Sequence, residues 1–86
     1  MKSSKLNNLK NIDTAILFLI FNRPNYTKKV FERIRDVKPN KLYVASDGPR
    51  EENPDDKELV EISRKIATKI DWDCDVKTLF RDRNLG

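Results

Sequence analysis

Three short polar clusters each follow an apolar run. Asn22-Arg23 comes after Ala15–Phe21, Asp47-Gly48-Pro49-Arg50 after Lys41–Ser46, and Arg81-Asp82-Arg83-Asn84 after Asp75–Phe80. Their side chains suit the capture of a phosphorylated ligand. Arginine presents a rigid fork that grips phosphate oxygens in pairs. The Asp47 carboxylate accepts hydrogen bonds, which suits an imide N–H of a base or ribose hydroxyls. Gly48 lets backbone come close to a ligand. The three clusters together can hold a nucleotide, provided the chain delivers them to one place. Other chemistries are excluded by composition. The chain has no histidine, so imidazole bases, His-activated nucleophiles and His metal ligands are all absent. The single Cys74 cannot form an internal disulfide, and zinc wants more Cys or His than the chain holds.

A second acid-rich stretch, Asp71-Trp72-Asp73-Cys74-Asp75, contains two Asp-x-Asp triplets, and Asp82 follows Asp71 at the distance of an EF-hand's last ligand. The sixth position of such a loop is Val76, where the sharp turn needs glycine. Residues 76–80 read as strand, so the triplets fall at its amino end, away from the three clusters. A solvated helix–strand loop is expected, with Trp72 packed on the sheet and Cys74 a small half-buried residue rather than a redox centre. Tyr26 and Tyr43 are expected to pack, and Asp82 to be a surface loop acid.

The elements that must position the clusters are legible from pattern. Ala15–Phe21 is seven apolar residues without a polar one, the pattern of a central parallel strand. Pro24 disfavours helix at Arg23 but suits the first turn of a helix starting there. That helix is predicted over Pro24–Val37, with Tyr26, Val30, Phe31, Ile34 and Val37 at helical spacing. Lys41–Ser46 reads as the second strand, closed by Asp47-Gly48-Pro49. Asp47-Gly48 could open a hairpin, but no returning strand follows Pro49. Asn53-Pro54-Asp55-Asp56 reads as a helix start with Asn53 as the cap. The helix is predicted to run to about Ile70, burying Leu59, Ile62, Ile66, Ala67 and Ile70. Asp75–Phe80 is the third strand. Residues 1–14 read as a polar lead-in, with Leu6, Leu9 and Ile12 at most a weak stripe.

The fold class that follows is α/β: a partial Rossmann-like β-α-β-α-β parallel sheet with right-handed crossovers. Laid down in one direction, as 3-2-1, the strands put both helices on one face and leave the other bare. An order of 2-1-3 would put one helix on each face. The first arrangement implies the first half of a larger domain, because 86 residues bury only about 60–65% of their unfolded surface. Charged residues make up 37% of the chain and mean hydropathy is −0.75, and the longest apolar run is far below the about 20 residues of a membrane helix. A cytoplasmic location is expected, since residues 1–14 lack the apolar core of a secretory signal. Net charge is +4, which solvated lysines account for, and no basic stripe with interleaved aromatics points to nucleic acid.

The clusters also carry a family resemblance. Phe21-Asn22-Arg23-Pro24, after its buried strand, resembles the opening of GT-A-type glycosyltransferases, the nucleotide-diphospho-sugar transferase superfamily. In that group a Tyr/Phe-Asn-Arg segment opens the nucleotide pocket. Ser46-Asp47-Gly48-Pro49 resembles the family's Asp-Asp-Gly-Ser turn, whose acid contacts base or ribose, with Ser46 standing in for the first acid. Arg83-Asn84-Leu85-Gly86 resembles its Arg-Asn-x-Gly segment, which lies along the nucleotide. The resemblance spans residues 15–86. It implies a nucleotide-binding amino-terminal half of a GT-A fold, with Phe21, Asn22, Arg23, Asp47, Gly48, Arg83 and Asn84 as the nucleotide-binding residues. The ligand it implies is a nucleotide-diphospho-sugar. A divalent metal, Mn²⁺ or Mg²⁺, belongs to the whole family enzyme and is held by a later Asp-x-Asp, so no metal ligand or catalytic residue is assigned to residues 1–86. Alone, such a segment is expected to bind nucleotide weakly and catalyse nothing. Two alternatives remain: a non-enzymatic, receiver-like interaction module in which Asp47 is the phosphoacceptor, and a truncated product without function of its own.

Overall fold

The computed structural model describes residues 14–85; the polar lead-in before Thr14, with Leu6, Leu9 and Ile12, and the final Gly86 lie outside the described residues. Three strands and two helices alternate: β1 (Ala15–Ile20), α1 (Pro24–Val37), β2 (Lys41–Ser46), α2 (Asp56–Ala67) and β3 (Asp75–Phe80). The sheet order is β1-β2-β3 and both pairings are parallel. The register puts Ala15 beside Lys41 and Lys41 beside Asp75, so the strands begin level and end level at Ile20, Ser46 and Phe80. The ladder continues one rung past each end. Lys41 donates its N–H to the Thr14 carbonyl (3.1 Å), and Arg81 donates to that of Ser46 (3.0 Å).

Both crossovers step the same way across the sheet, so both helices lie on one face and pack against each other, as the 3-2-1 reading required. Phe18, Ile20, Leu42 and Val44 point to that face and meet Phe31, Ile34 and Ala67 in the core. The alternate residues Leu17, Leu19, Tyr43 and Leu79 point the other way and are exposed. Strand β1 is therefore apolar on both faces while the described residues cover only one.

The helices differ in detail from the pattern reading. In α1 the buried positions are Thr27, Phe31 and Ile34, while Tyr26 and Val37 are exposed. Tyr26 is thus a surface residue rather than a packing one, and Tyr43 stands on the open face. The helix closes with Lys38 in the left-handed conformation, φ 52°, its N–H donating to the Ile34 carbonyl (2.9 Å). Pro39 follows, as expected after a helix end. Helix α2 begins at Asp56 with Asp55 at its cap position. Asn53 contributes its backbone carbonyl to the Asp56 N–H (3.0 Å) rather than a side-chain cap. Its fully buried positions are Asp56, Val60, Ser63 and Ala67, spaced 4, 3 and 4; of the expected face Ala67 is buried, Ile66 and Ile70 pack on the core, Leu59 is half-buried and Ile62 is exposed. Ser63 is fully buried with its hydroxyl unpartnered, while the adjacent Ile62 is 38% exposed. Strand β1 ends at Ile20, one residue short of the apolar run, and Phe21 begins the loop.

Candidate functional site

Level strand ends bring the three polar clusters to one edge of the sheet, where local structure ties them together. Asp47 Oδ1 accepts from the backbone N–H of Gly48 (2.8 Å) and from that of Leu85 (3.0 Å). Asn84 Nδ2 donates to the Gly48 carbonyl (3.1 Å). The turn after β2 and the segment after β3 are therefore in direct contact. Gly48 is what permits the approach. A Cβ at that position would lie 2.5 Å from the Arg83 nitrogen and 2.6 Å from two backbone carbonyl carbons, so residues 82–83 would have to move. The glycine is needed for space here, not for an unusual backbone angle.

The first cluster joins through a buried acid. Asp56 is only 2% exposed, at the start of α2. Its carboxylate accepts from Arg50 Nε (2.7 Å), Arg50 Nη2 (3.1 Å), the Arg50 backbone N–H (3.1 Å) and Asn22 Nδ2 (3.0 Å). The side-chain bonds from Arg50, assisted by Asn22, hold the Asp56 carboxyl well below the usual carboxylate range against the opposing effect of burial. The Arg50 guanidinium also lies 5.5 Å from the centre of the Phe21 ring. Phe21 and Asn22 are thus fastened to the loop after β2 through Arg50 and Asp56. Arg50, Arg83 and Asn84, with Pro49, Glu51 and Glu52, line a cleft of about 380 Å³ between the loops after β2 and β3. A second hollow of about 350 Å³ opens on the bare-face side, with Leu19, Ala45 and Leu79 beside Asp47 and Arg81.

Of the seven residues read from sequence, Asp47, Gly48, Arg83 and Asn84 gather at one turn, Phe21 lies against Arg50, and Asn22 reaches Arg50 only through Asp56. Arg23 sits exposed at the cap position of α1, where its carbonyl accepts from the Thr27 N–H (2.9 Å). Two contributors were not singled out in the sequence as part of the site. Asp56 had a signal, because it continues the buried stripe of α2 at i, i+4, i+7 and i+11, and a carboxylate there must find a partner. Arg64 had none.

The acid-rich stretch stands at the other edge. Asp75 opens β3, and Asp71 and Asp73 precede it, all three exposed. Asp71 faces Arg35 at 3.6 Å. Among the described residues, no three His, Cys, Asp or Glu side chains gather into a metal-binding group. Trp72 packs on the Phe31 ring of α1, with centroids 5.8 Å apart, and donates from Nε1 to the Pro39 carbonyl (2.8 Å). It is half-buried against the core that the sheet and helices share. Cys74 is half-buried; burial first, and then the charges of Asp75 and Asp73, push its thiol up, with Trp72 opposing. Among the described residues, no helix is long and apolar enough to cross a membrane.

No protein-family model, curated protein or solved structure matches the chain.

Proposed function

We propose that residues 15–85 form the nucleotide-binding part of a GT-A-like glycosyltransferase that uses a nucleotide-diphospho-sugar as donor. The observation that carries this reading is the contact between the Ser46-Asp47-Gly48 turn and the Arg83-Asn84-Leu85 segment. Asp47 Oδ1 receives two backbone N–H groups, which fixes the carboxylate in place. The other carboxylate oxygen is left to accept from a base or a ribose. Asn84 returns to the same turn through the Gly48 carbonyl, and with Arg83 and Arg50 it lines the neighbouring cleft. In parallel α/β sheets the crevice outside the carboxyl ends of the strands is where ligands bind.

The bare face of the sheet supports the same reading. Leu17, Leu19, Tyr43 and Leu79 form an exposed apolar surface on strands of buried type. In a GT-A-like enzyme the remainder of the domain covers that face and brings the acceptor site, the catalytic base and the Asp-x-Asp that holds Mn²⁺ or Mg²⁺. The metal offsets charge on the departing diphosphate. The residues described here would bind and orient the nucleotide and would not transfer the sugar. We favour this over a receiver-like module because the residues following β1 are Phe21-Asn22-Arg23, basic where a receiver needs acids, and because Asp47 is already bonded to the loop.

Titration of the 86-residue chain with UDP and with GDP, followed by amide chemical shifts, tests the proposal. Saturable changes at residues 21–23, 47–50 and 81–84 are expected at millimolar ligand. Unchanged shifts in all three clusters would remove it. Labelling of Asp47 by acetyl phosphate would put the receiver-like module in its place.

A further inference from the structure

The rim is held by a side chain that belongs to none of the three clusters. Arg64 projects from the third turn of α2 and is half-buried. Its Nε donates to Ser46 Oγ (3.0 Å), and its Nη2 donates to the carbonyls of both Asp47 (3.2 Å) and Arg81 (2.8 Å). The guanidinium lies 4.6 Å from the centre of the Phe80 ring. Ser46 Oγ in turn donates to the Asp47 carbonyl (3.0 Å). The Asp47 and Arg81 carbonyls stand at the end of the sheet, since the last rung of the ladder is Arg81 N–H to Ser46. One guanidinium thus takes up two carbonyls, one on each of two neighbouring strand ends.

We propose that Arg64 is the positioning residue of the rim: it fixes the ends of β2 and β3 against each other, and ligand affinity depends on it through Asp47, Arg83 and Asn84. The part of this inference that concerns ligand rests on the nucleotide reading above; the part that concerns rim order does not. The mechanism is preorganisation. Holding the Asp47 peptide sets the direction in which its carboxylate leaves the chain. Holding Arg81 sets the start of the segment whose Leu85 N–H and Asn84 amide return to Asp47 and Gly48. A rim fixed before binding loses less entropy when the ligand arrives. Lysine cannot substitute, because an ammonium is a point charge that neither spans two carbonyls in a plane nor stacks on an aromatic ring as a guanidinium does.

The test compares wild type, Arg64→Lys and Arg64→Ala in the full chain. In both variants the Leu85 and Gly48 amide resonances should move toward solvent-exposed positions and exchange about tenfold faster, with the Leu42 amide unchanged. Affinity for UDP or GDP should fall about tenfold, corresponding to about 1.4 kcal/mol. Millimolar methylguanidinium should restore both readouts in Arg64→Ala and neither in Arg64→Lys. If Arg64→Ala also releases Leu42, it has lost the fold, and Arg64→Lys, which keeps the charge and most of the stem, decides. Wild-type behaviour of Leu85, Gly48 and affinity in Arg64→Lys would overturn the proposal. If wild type binds neither nucleotide, the nucleotide reading falls, while the amide readouts still decide whether Arg64 orders the rim.

Discussion

The two faces of the sheet are built from alternate residues of the same three strands and have opposite fates. Phe18, Ile20, Leu42 and Val44 lie under the helices and are buried, whereas Leu17, Leu19, Tyr43 and Leu79 are equally apolar and exposed. The difference is not one of residue type. It arises because both crossovers carry their helices to one side. A side chain's contribution to stability is set by what is placed over it, so leucines one position apart in β1–β2 register should differ severalfold in what they contribute.

The largest expected effect lies on the covered face. Leu42 has no exposed surface. Leu42→Ala should cost about 2–5 kcal/mol, from lost burial and the cavity left behind. Urea denaturation checks it, and a loss near that of an exposed leucine would abolish the contrast between the faces.

The next effect is intermediate and depends on pH. Asp56, at the start of α2, is buried like the covered face but ends in the ion pair with Arg50. Its folded pKa is depressed, so the pair contributes fully above the unfolded carboxylate value of about 4 and is lost as pH falls below that toward the folded value. The wild-type urea midpoint should therefore drop on acidification below about pH 4. Asp56→Asn should be less stable at neutral pH, because Arg50 loses its charged partner, and should show a shallower acid slope. Parallel acid slopes in the two proteins would mean that Asp56 is not held as described.

The smallest effect lies on the bare face. Leu19 is 68% exposed and Leu79 58%. Threonine is well suited to strands, so Leu19→Thr with Leu79→Thr should change the stability of the 86-residue chain by no more than about 0.5 kcal/mol per site. The same pair should lower the binding of a hydrophobic dye such as ANS. A loss of several kcal/mol would show that something covers this face in solution and would erase the contrast between the two faces.

The element order was legible because each signal is local. An unbroken apolar run, Pro24 at a helix start and β-favouring Tyr43 and Val44 act within a few residues, and β2, β3 and α1 fell where pattern placed them. The finer burial was less legible. Pattern chose Ile62 because isoleucine is apolar, yet Ser63 is fully buried and Ile62 exposed, since side-chain polarity does not fix how a helix is rotated on its neighbours. Tyr26 and Thr27 exchanged places in the same way. At the rim, the polar clusters were visible as clusters, but not their partners. Asp56 lies far along the chain from Asn22, and Arg64 lies between two strands whose ends it joins.

Local pattern was enough to set the succession of strands and helices, the parallel sheet, and the polar residues that stand where strands stop. These follow from chain stiffness, turn chemistry and hydrophobic period, which act over short distances along the chain. That Gly48 passes against Arg83, that Asp56 gathers Asn22 and Arg50, and that Arg64 closes the edge emerge only from the packed fold. Those contacts depend on how near two distant backbones come, a distance fixed by the packing of helices on one side of the sheet.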